Sequence, residues 1–182
     1  MSPFEKRPAI AFPINLTPKD IELVKKQCAI QGAISPEQIQ GFANAYSTAK
    51  KLSEDPVKLN GLTAEQAEEL ILELGRLIEK RNQKGFRRVA VTFDGGGTAL
   101  EHSKIPRAIQ SFCHGFISFL EDPTEDERLN TTLLYTEFEN IHPFEDGNGR
   151  VGDLLWKILN TKKNGKWPEA LPPDVFGKED PN

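Results

Sequence analysis

Six stretches of this chain place apolar residues at intervals of three and four, and one short stretch alternates them. A three-to-four interval lines one face of a helix, whereas alternation lines one face of a strand. The chain is therefore constrained to an all-α bundle with at most a minor β element. The helix starts carry their own marks. Thr17 precedes Pro18 and sits three residues before Asp20, Ser35 precedes Pro36 and Glu37, and Thr63 sits three residues before Gln66. Such side chains bond the free amides of a first helical turn, and a proline there has no amide to leave unpaired. From Thr17 the stripe Ile21, Val24, Cys28 predicts a helix to about Gln31, ended by Gly32. Ile39, Phe42, Ala43, Tyr46 and Ala49 mark a second, and Leu70, Leu74, Leu77 and Ile78 a third running through Arg81. The stretch 53–61 holds Asp55-Pro56 and Asn60-Gly61 and reads as a loop.

Further on, 104–120 repeats Ile105, Ile109, Phe112, Cys113, Phe116 and Leu120. Thr124, with Glu127 three residues on, predicts the cap of a helix carrying Leu129, Leu133, Leu134, Phe138 and Ile141. A last helix is expected from Asn148 to Leu159. The alternating stretch is Val89, Val91 and Phe93 against Arg88, Ala90 and Thr92. Asp94-Gly95-Gly96-Gly97-Thr98 follows as a turn, so a small β-hairpin is expected. Those glycines lack the Lys-Ser/Thr ending of a phosphate-binding loop and read as a hairpin tip. The organisation expected is an irregular arm over 1–16, one helical domain over 17–160, and a tail over 161–182.

The 182 residues are 37% hydrophobic and 27% charged, enough for one packed core. A net charge of -4 argues against nucleic acid as a partner, and only Lys84 and Arg87-Arg88 offer a basic cluster. No apolar run reaches eighteen residues, so no membrane span is expected. Prolines at 3, 8 and 13 break the N-terminus, which lacks the apolar core of a secretory signal. The only cysteines, Cys28 and Cys113, lie on apolar helical faces and are expected to be buried free thiols. These features point to a cytoplasmic protein.

One segment is chemically dense: His142-Pro143-Phe144-Glu145-Asp146-Gly147-Asn148-Gly149-Arg150, joining two apolar helices. Gly147 and Gly149 let the backbone approach a ligand closely. Asn148 to Arg150 begin a helix, whose free amides attract anions. Arg150 carries a planar fork of donors suited to phosphate. Asp146 can hold a magnesium ion that bridges phosphates. His142 titrates near neutrality and suits a general base. Phe144 reads as the apolar anchor of the loop, and Glu145 as facing solvent. The set points to phosphoryl or nucleotidyl transfer.

These nine residues resemble, without a break, the signature of the Fic (Fido-domain) family. The resemblance spans 60–160. It implies a compact Fic-like helical bundle with a β-hairpin flap over Arg87 to Thr98, the hairpin at 88–93 docking a target protein. It implies Mg2+-dependent transfer of AMP from ATP to a hydroxyl side chain of that target. It also implies the roles: His142 as base, Asp146 at the metal, Gly147, Asn148 and Gly149 as an anion hole, Asn148 reaching phosphate with its side-chain amide, and Arg150 holding the nucleotide phosphates. The family pattern has a second arginine three residues after the first, and this chain has Asp153. On a helix that spacing keeps Asp153 on the face of Arg150, so it is expected to face the same pocket. Lys157, four residues on, reads either as its ion-pair partner or, the preferred reading, as a solvated lysine. The departure leaves open phosphotransfer, as in relatives of the death-on-curing toxin, transfer of another nucleotide fragment, and an inactive binding or regulatory module.

Overall fold

The computed structural model describes residues 9–93 and 96–175. Its α-helices are α1 (Pro18–Ile30), α2 (Pro36–Ser53), α3 (Pro56–Asn60), α4 (Ala64–Ile78), α5 (Ile105–Glu121), α6 (Thr131–Ile141) and α7 (Asn148–Asn164). Short 3-10 turns occupy Lys80–Lys84 and His102–Lys104. Three helices begin on reciprocal capping pairs: Thr17 with Asp20, Ser35 with Gln38, and Thr63 with Gln66. In each, a hydroxyl accepts from the amide three residues on, and that residue's side chain accepts from the cap's own amide.

Where side chains compete for the same amides, the boundaries move. The stretch 53–61 is not wholly loop, because Asp55 accepts from the Lys58 amide at 3.1 Å and starts α3. The capping pair expected at Thr124 does not start a helix. Asp122 accepts from both the amide and hydroxyl of Thr124, and Asp126 accepts from the amides of Arg128 and Leu129. These local turns hold the chain out of the helix until Asn130 accepts from the Leu133 amide and caps α6. Helix α4 stops at Ile78, short of Arg81, and α7 runs past Leu159 to Asn164.

The expected hairpin is absent: the architecture is all-α, and residues 88–93 form no strand. Asp94 and Gly95, at the tip, lie outside the described residues. Around them one isolated bridge joins Thr92 to Thr98. The Phe93 amide donates to Gly97 at 3.0 Å and the Ala99 amide to Val91 at 2.9 Å. Beyond this pair the ladder stops, because the Arg87 guanidinium takes the carbonyls of Val89 and Leu100. The alternating face is covered only in part: Phe93 packs on His142, while Val89 is 50% exposed. Alternation without a partner strand or a full covering layer does not make a sheet.

Helix α7 lies against α2, α4, α5 and α6. One apolar cluster joins Val24 and Cys28 of α1, Phe42 and Tyr46 of α2, Leu74 of α4, Phe112 and Phe116 of α5, Phe138 of α6 and Ile158 of α7. Downstream of α7, Trp167 donates from its indole to the Tyr46 hydroxyl at 3.1 Å and packs edge-on against that ring. Cys28 and Cys113 are free thiols, and both are buried. Among the described residues no helix is long and apolar enough to cross a membrane.

Candidate active site

The loop 142–147 is held from three sides. His142 ends α6 in the left-handed region (φ 50°, ψ 60°), and its amide donates to Phe138 at 3.0 Å. Phe144 is fully buried, with its ring over Gly75 of α4. A Cβ at position 75 would lie 2.3 Å from Phe144 Cζ, so only glycine admits this anchor. Asn148 closes the loop through its side chain. Its Oδ1 accepts from the Phe144 amide at 2.8 Å and its Nδ2 donates to the Phe144 carbonyl at 2.9 Å. The side-chain amide thus braces the loop and is spent on its backbone. Asn82 adds a tie from the 3-10 turn, donating to the carbonyls of Gly75 and Asp146.

Gly147 (φ 79°) turns the chain into α7 with no side-chain cap. Inside a helix the first amides have no acceptor. Here the amides of Asn148, Gly149 and Arg150 find no backbone acceptor elsewhere among the described residues either. At this helix start lies a cavity of about 180 Å³ lined by His142, Glu145, Asp146, Gly147, Asn148 and Gly149, with Gln31 and Val91 to Phe93 on its other side. The His142 imidazole stands edge-on to the Phe93 ring, 5.0 Å between centroids. Asp146 sits at the rim, 41% exposed, with Oδ1 accepting from the Gly147 amide at 2.7 Å. No cluster of three or more metal-ligating side chains occurs among the described residues. A lone rim carboxylate with its second oxygen open fits magnesium, which keeps waters and shares its coordination with substrate phosphates.

Arg150 and Asp153 share a face of α7, as their spacing requires, but that face turns inward. Arg150 is 1% exposed and donates from Nη2 to Glu79 at 2.8 Å, with Asp146 at 3.6 Å. Its Nε and Nη1 are buried and make no hydrogen bond. Asp153 is fully buried, pairs with the Lys157 ammonium, and does not line the cavity. Burial pushes the Asp153 carboxyl up, and Lys157 opposes the shift. Lys157 is itself fully buried and also donates to the Ala170 carbonyl at 2.9 Å. Both expectations at this point are corrected: Asp153 does not line the cavity, and Lys157 is not solvated.

Three contributors carried no signal in the periodicity. Gln31, just past α1, lies over Gly149: a Cβ there would sit 2.4 Å from Gln31 Nε2. Glu79 follows α4 and holds Arg150 while accepting from Gln38. Arg87 read as part of a basic cluster, yet it is 3% exposed and bonds only backbone carbonyls through its guanidinium.

The model of the Fic/DOC family matches residues 61–159 of this chain. The chain belongs to the Fic/DOC family. A probable protein adenylyltransferase from Aquifex aeolicus is 29% identical over 132 residues, covering 68% of this chain and 39% of its own length. The chain thus spans well under half of that curated relative. A Fic domain containing signaling protein from Bacteroides thetaiotaomicron shares the fold with a TM-score of 0.58 at 17% identity, over 83% of this chain and 69% of the other. A Fic family protein from Desulfovibrio desulfuricans gives 0.56 at 20% identity, over 83% and 52%. The Fic match ends within α7 and begins just before α4. Helices α1 and α2 lie outside it, although Gln31 lies over Gly149 and Gln38 donates to Glu79, the partner of Arg150.

Proposed function

We propose that this Fic protein transfers AMP from ATP to a hydroxyl side chain of a target protein. The observation that carries the reading is the uncapped start of α7. Its free amides meet a cavity that His142 and Asp146 also line. The target oxygen attacks the α-phosphorus and gives its proton to His142. The bond from that phosphorus to the bridging oxygen breaks, and pyrophosphate leaves. The amides of residues 148–150 stabilise charge growing on the α-phosphate oxygens. Arg150 is buried beside this helix start and does not itself line the cavity; its unbonded Nε and Nη1 are the donors this reading assigns to phosphate, while Glu79 holds Nη2. Magnesium, held by Asp146 together with the phosphates, would neutralise charge on the leaving group. A cytoplasmic setting would suit a protein that uses ATP and keeps two free thiols.

A second reading rests on Asp153. The residue one turn past Arg150 is a carboxylate paired with the buried Lys157, so the second arginine of the family pattern is missing. Phosphotransfer, transfer of another nucleotide fragment, or a non-catalytic binding module then compete. Incubating the protein and candidate targets with ATP labelled at the α or the γ position separates them. AMP transfer is expected to leave α label and the mass of one AMP on the target. Label from the γ position would replace it with phosphotransfer. Absence of label, with or without magnesium, would leave the binding module.

A further inference from the structure

We propose that Arg87 is the positioning residue for His142, a role that rests on the reading of His142 as general base. Three consecutive carbonyls at the end of α6 accept from this one residue. Nε donates to His142 O at 2.7 Å, Nη2 reaches Ile141 O at 3.4 Å, and the Arg87 amide donates to Pro143 O at 2.8 Å. The turn they define is unusual, since His142 is the only non-glycine residue with positive φ among the described residues. A side chain with a Cβ is disfavoured there, so the conformation persists only when its surroundings hold it. The guanidinium supplies that hold. It also sits at the negative end of the α6 dipole, where a cation is favoured.

The same fork grips the other wall of the cavity. Nη1 donates to Val89 O at 2.8 Å and Nη2 to Leu100 O, fixing both ends of the segment that carries Phe93. Phe93 is the ring against the His142 imidazole. Arg87 thus sets the backbone beneath the imidazole and the wall beside it, in each case by donating to backbone carbonyls. The anion-binding turn is secured separately, by Asn148 on Phe144, Asn82 on Asp146 and Glu79 on Arg150. Loss of Arg87 should therefore displace the base and leave the phosphate site in place. Lysine cannot substitute, because a point ammonium lacks the planar fork that reaches carbonyls on two sides.

The test compares wild type, Arg87→Lys and Arg87→Ala by three readouts. These are ATP affinity by calorimetry, the transfer rate, and the His142 imidazole and backbone NMR signals. Arg87→Lys is expected to keep ATP affinity, to slow transfer by about a hundredfold through kcat, and to shift the His142 signals. Millimolar guanidinium is expected to restore part of the rate in Arg87→Ala. Wild-type His142 signals in folded Arg87→Lys would overturn the proposal. So would equal losses of ATP affinity and rate, or failure of the lysine variant to fold, since Arg87 would then be a general structural residue. If wild type transfers nothing from ATP, the catalytic reading fails by itself, and the NMR comparison still decides whether Arg87 positions His142.

Discussion

At the residue scale, function and stability overlap more than the sequence implied. His142→Ala is expected to slow transfer by about a hundred- to ten-thousand-fold, the usual contribution of a general base. ATP affinity should stay within a few-fold, because the amides proposed to meet phosphate come from α7. A transfer rate near wild type would remove His142 from the chemistry. Arg150 differs, because its side chain is buried against Glu79. Arg150→Ala leaves that carboxylate buried without its partner, so denaturant titration should show lost stability alongside weaker ATP binding. Arg150→Lys should recover only part of each. Equal affinity and equal stability in all three proteins would refute this placement. Asp153→Asn strands a fully buried Lys157 and should cost about 3–5 kcal/mol in urea unfolding. Asp153→Arg, which would tighten ATP binding if residue 153 faced the pocket, should instead unfold the protein. The motif residues and their order were legible in the sequence. Which of their atoms face inward was not, because Glu79, Asn82 and Arg87 come from segments 55 to 71 residues away.

At the element scale, helices were legible wherever a capping pair agreed with the apolar period, as at Thr17, Ser35 and Thr63. They were misplaced where an aspartate took the amides first, as at Asp122 and Asp126. The strand expected at 88–93 failed for a reason outside its own pattern: a buried arginine occupies the carbonyls that a partner strand would use. Helix α1 lies outside the Fic match, yet it delivers Gln31 to the lid of the cavity and Gln27 Nε2 to the Gly149 carbonyl at 3.4 Å. Replacing Gln31 by glutamate keeps the shape and puts a charge over the uncapped amides. Like charges at such range cost about 1 kcal/mol even in water. Calorimetry of Gln31→Glu should therefore show ATP binding weakened at least about fivefold, while Gln31→Ala should bind no worse than wild type. Unchanged affinity in the glutamate variant would mean that phosphate does not occupy this start of α7.

At the scale of the whole molecule, the question is whether α1 and α2 unfold with the Fic helices or apart from them. The apolar cluster runs through both sets, and α2 packs on α4 and α7. A single cooperative unit over 17–160 is therefore expected, and the two thiols can report on it separately. Cys28 belongs to α1, outside the Fic match, and Cys113 to α5, inside it. Burial pushes the Cys28 thiol up from 9.0 to about 11, with Arg150 opposing, and pushes Cys113 up to about 12. Both thiols should be inert to alkylation in the native protein at neutral pH, because the thiolate is the reactive form. In rising urea they should become reactive together, at the midpoint followed by circular dichroism. Earlier labelling of Cys28 would show that α1 and α2 detach, and that the lid over Gly149 can open without the rest. The same thiols give an alkaline signature. Below the unfolded value of 9.0 both states keep the proton, and burial carries no penalty in linkage. Above it the unfolded chain ionises first, so stability should fall as pH rises from about 9 through about 11 and toward 12. Replacing Cys28 and Cys113 by alanine should reduce the slope from about pH 9, measured against the variant's own value at pH 7, while Tyr46 and Tyr135, whose phenols burial also pushes up from 10.0, keep part of it above about pH 10. A slope unchanged by the double substitution would show that other groups govern the alkaline limb.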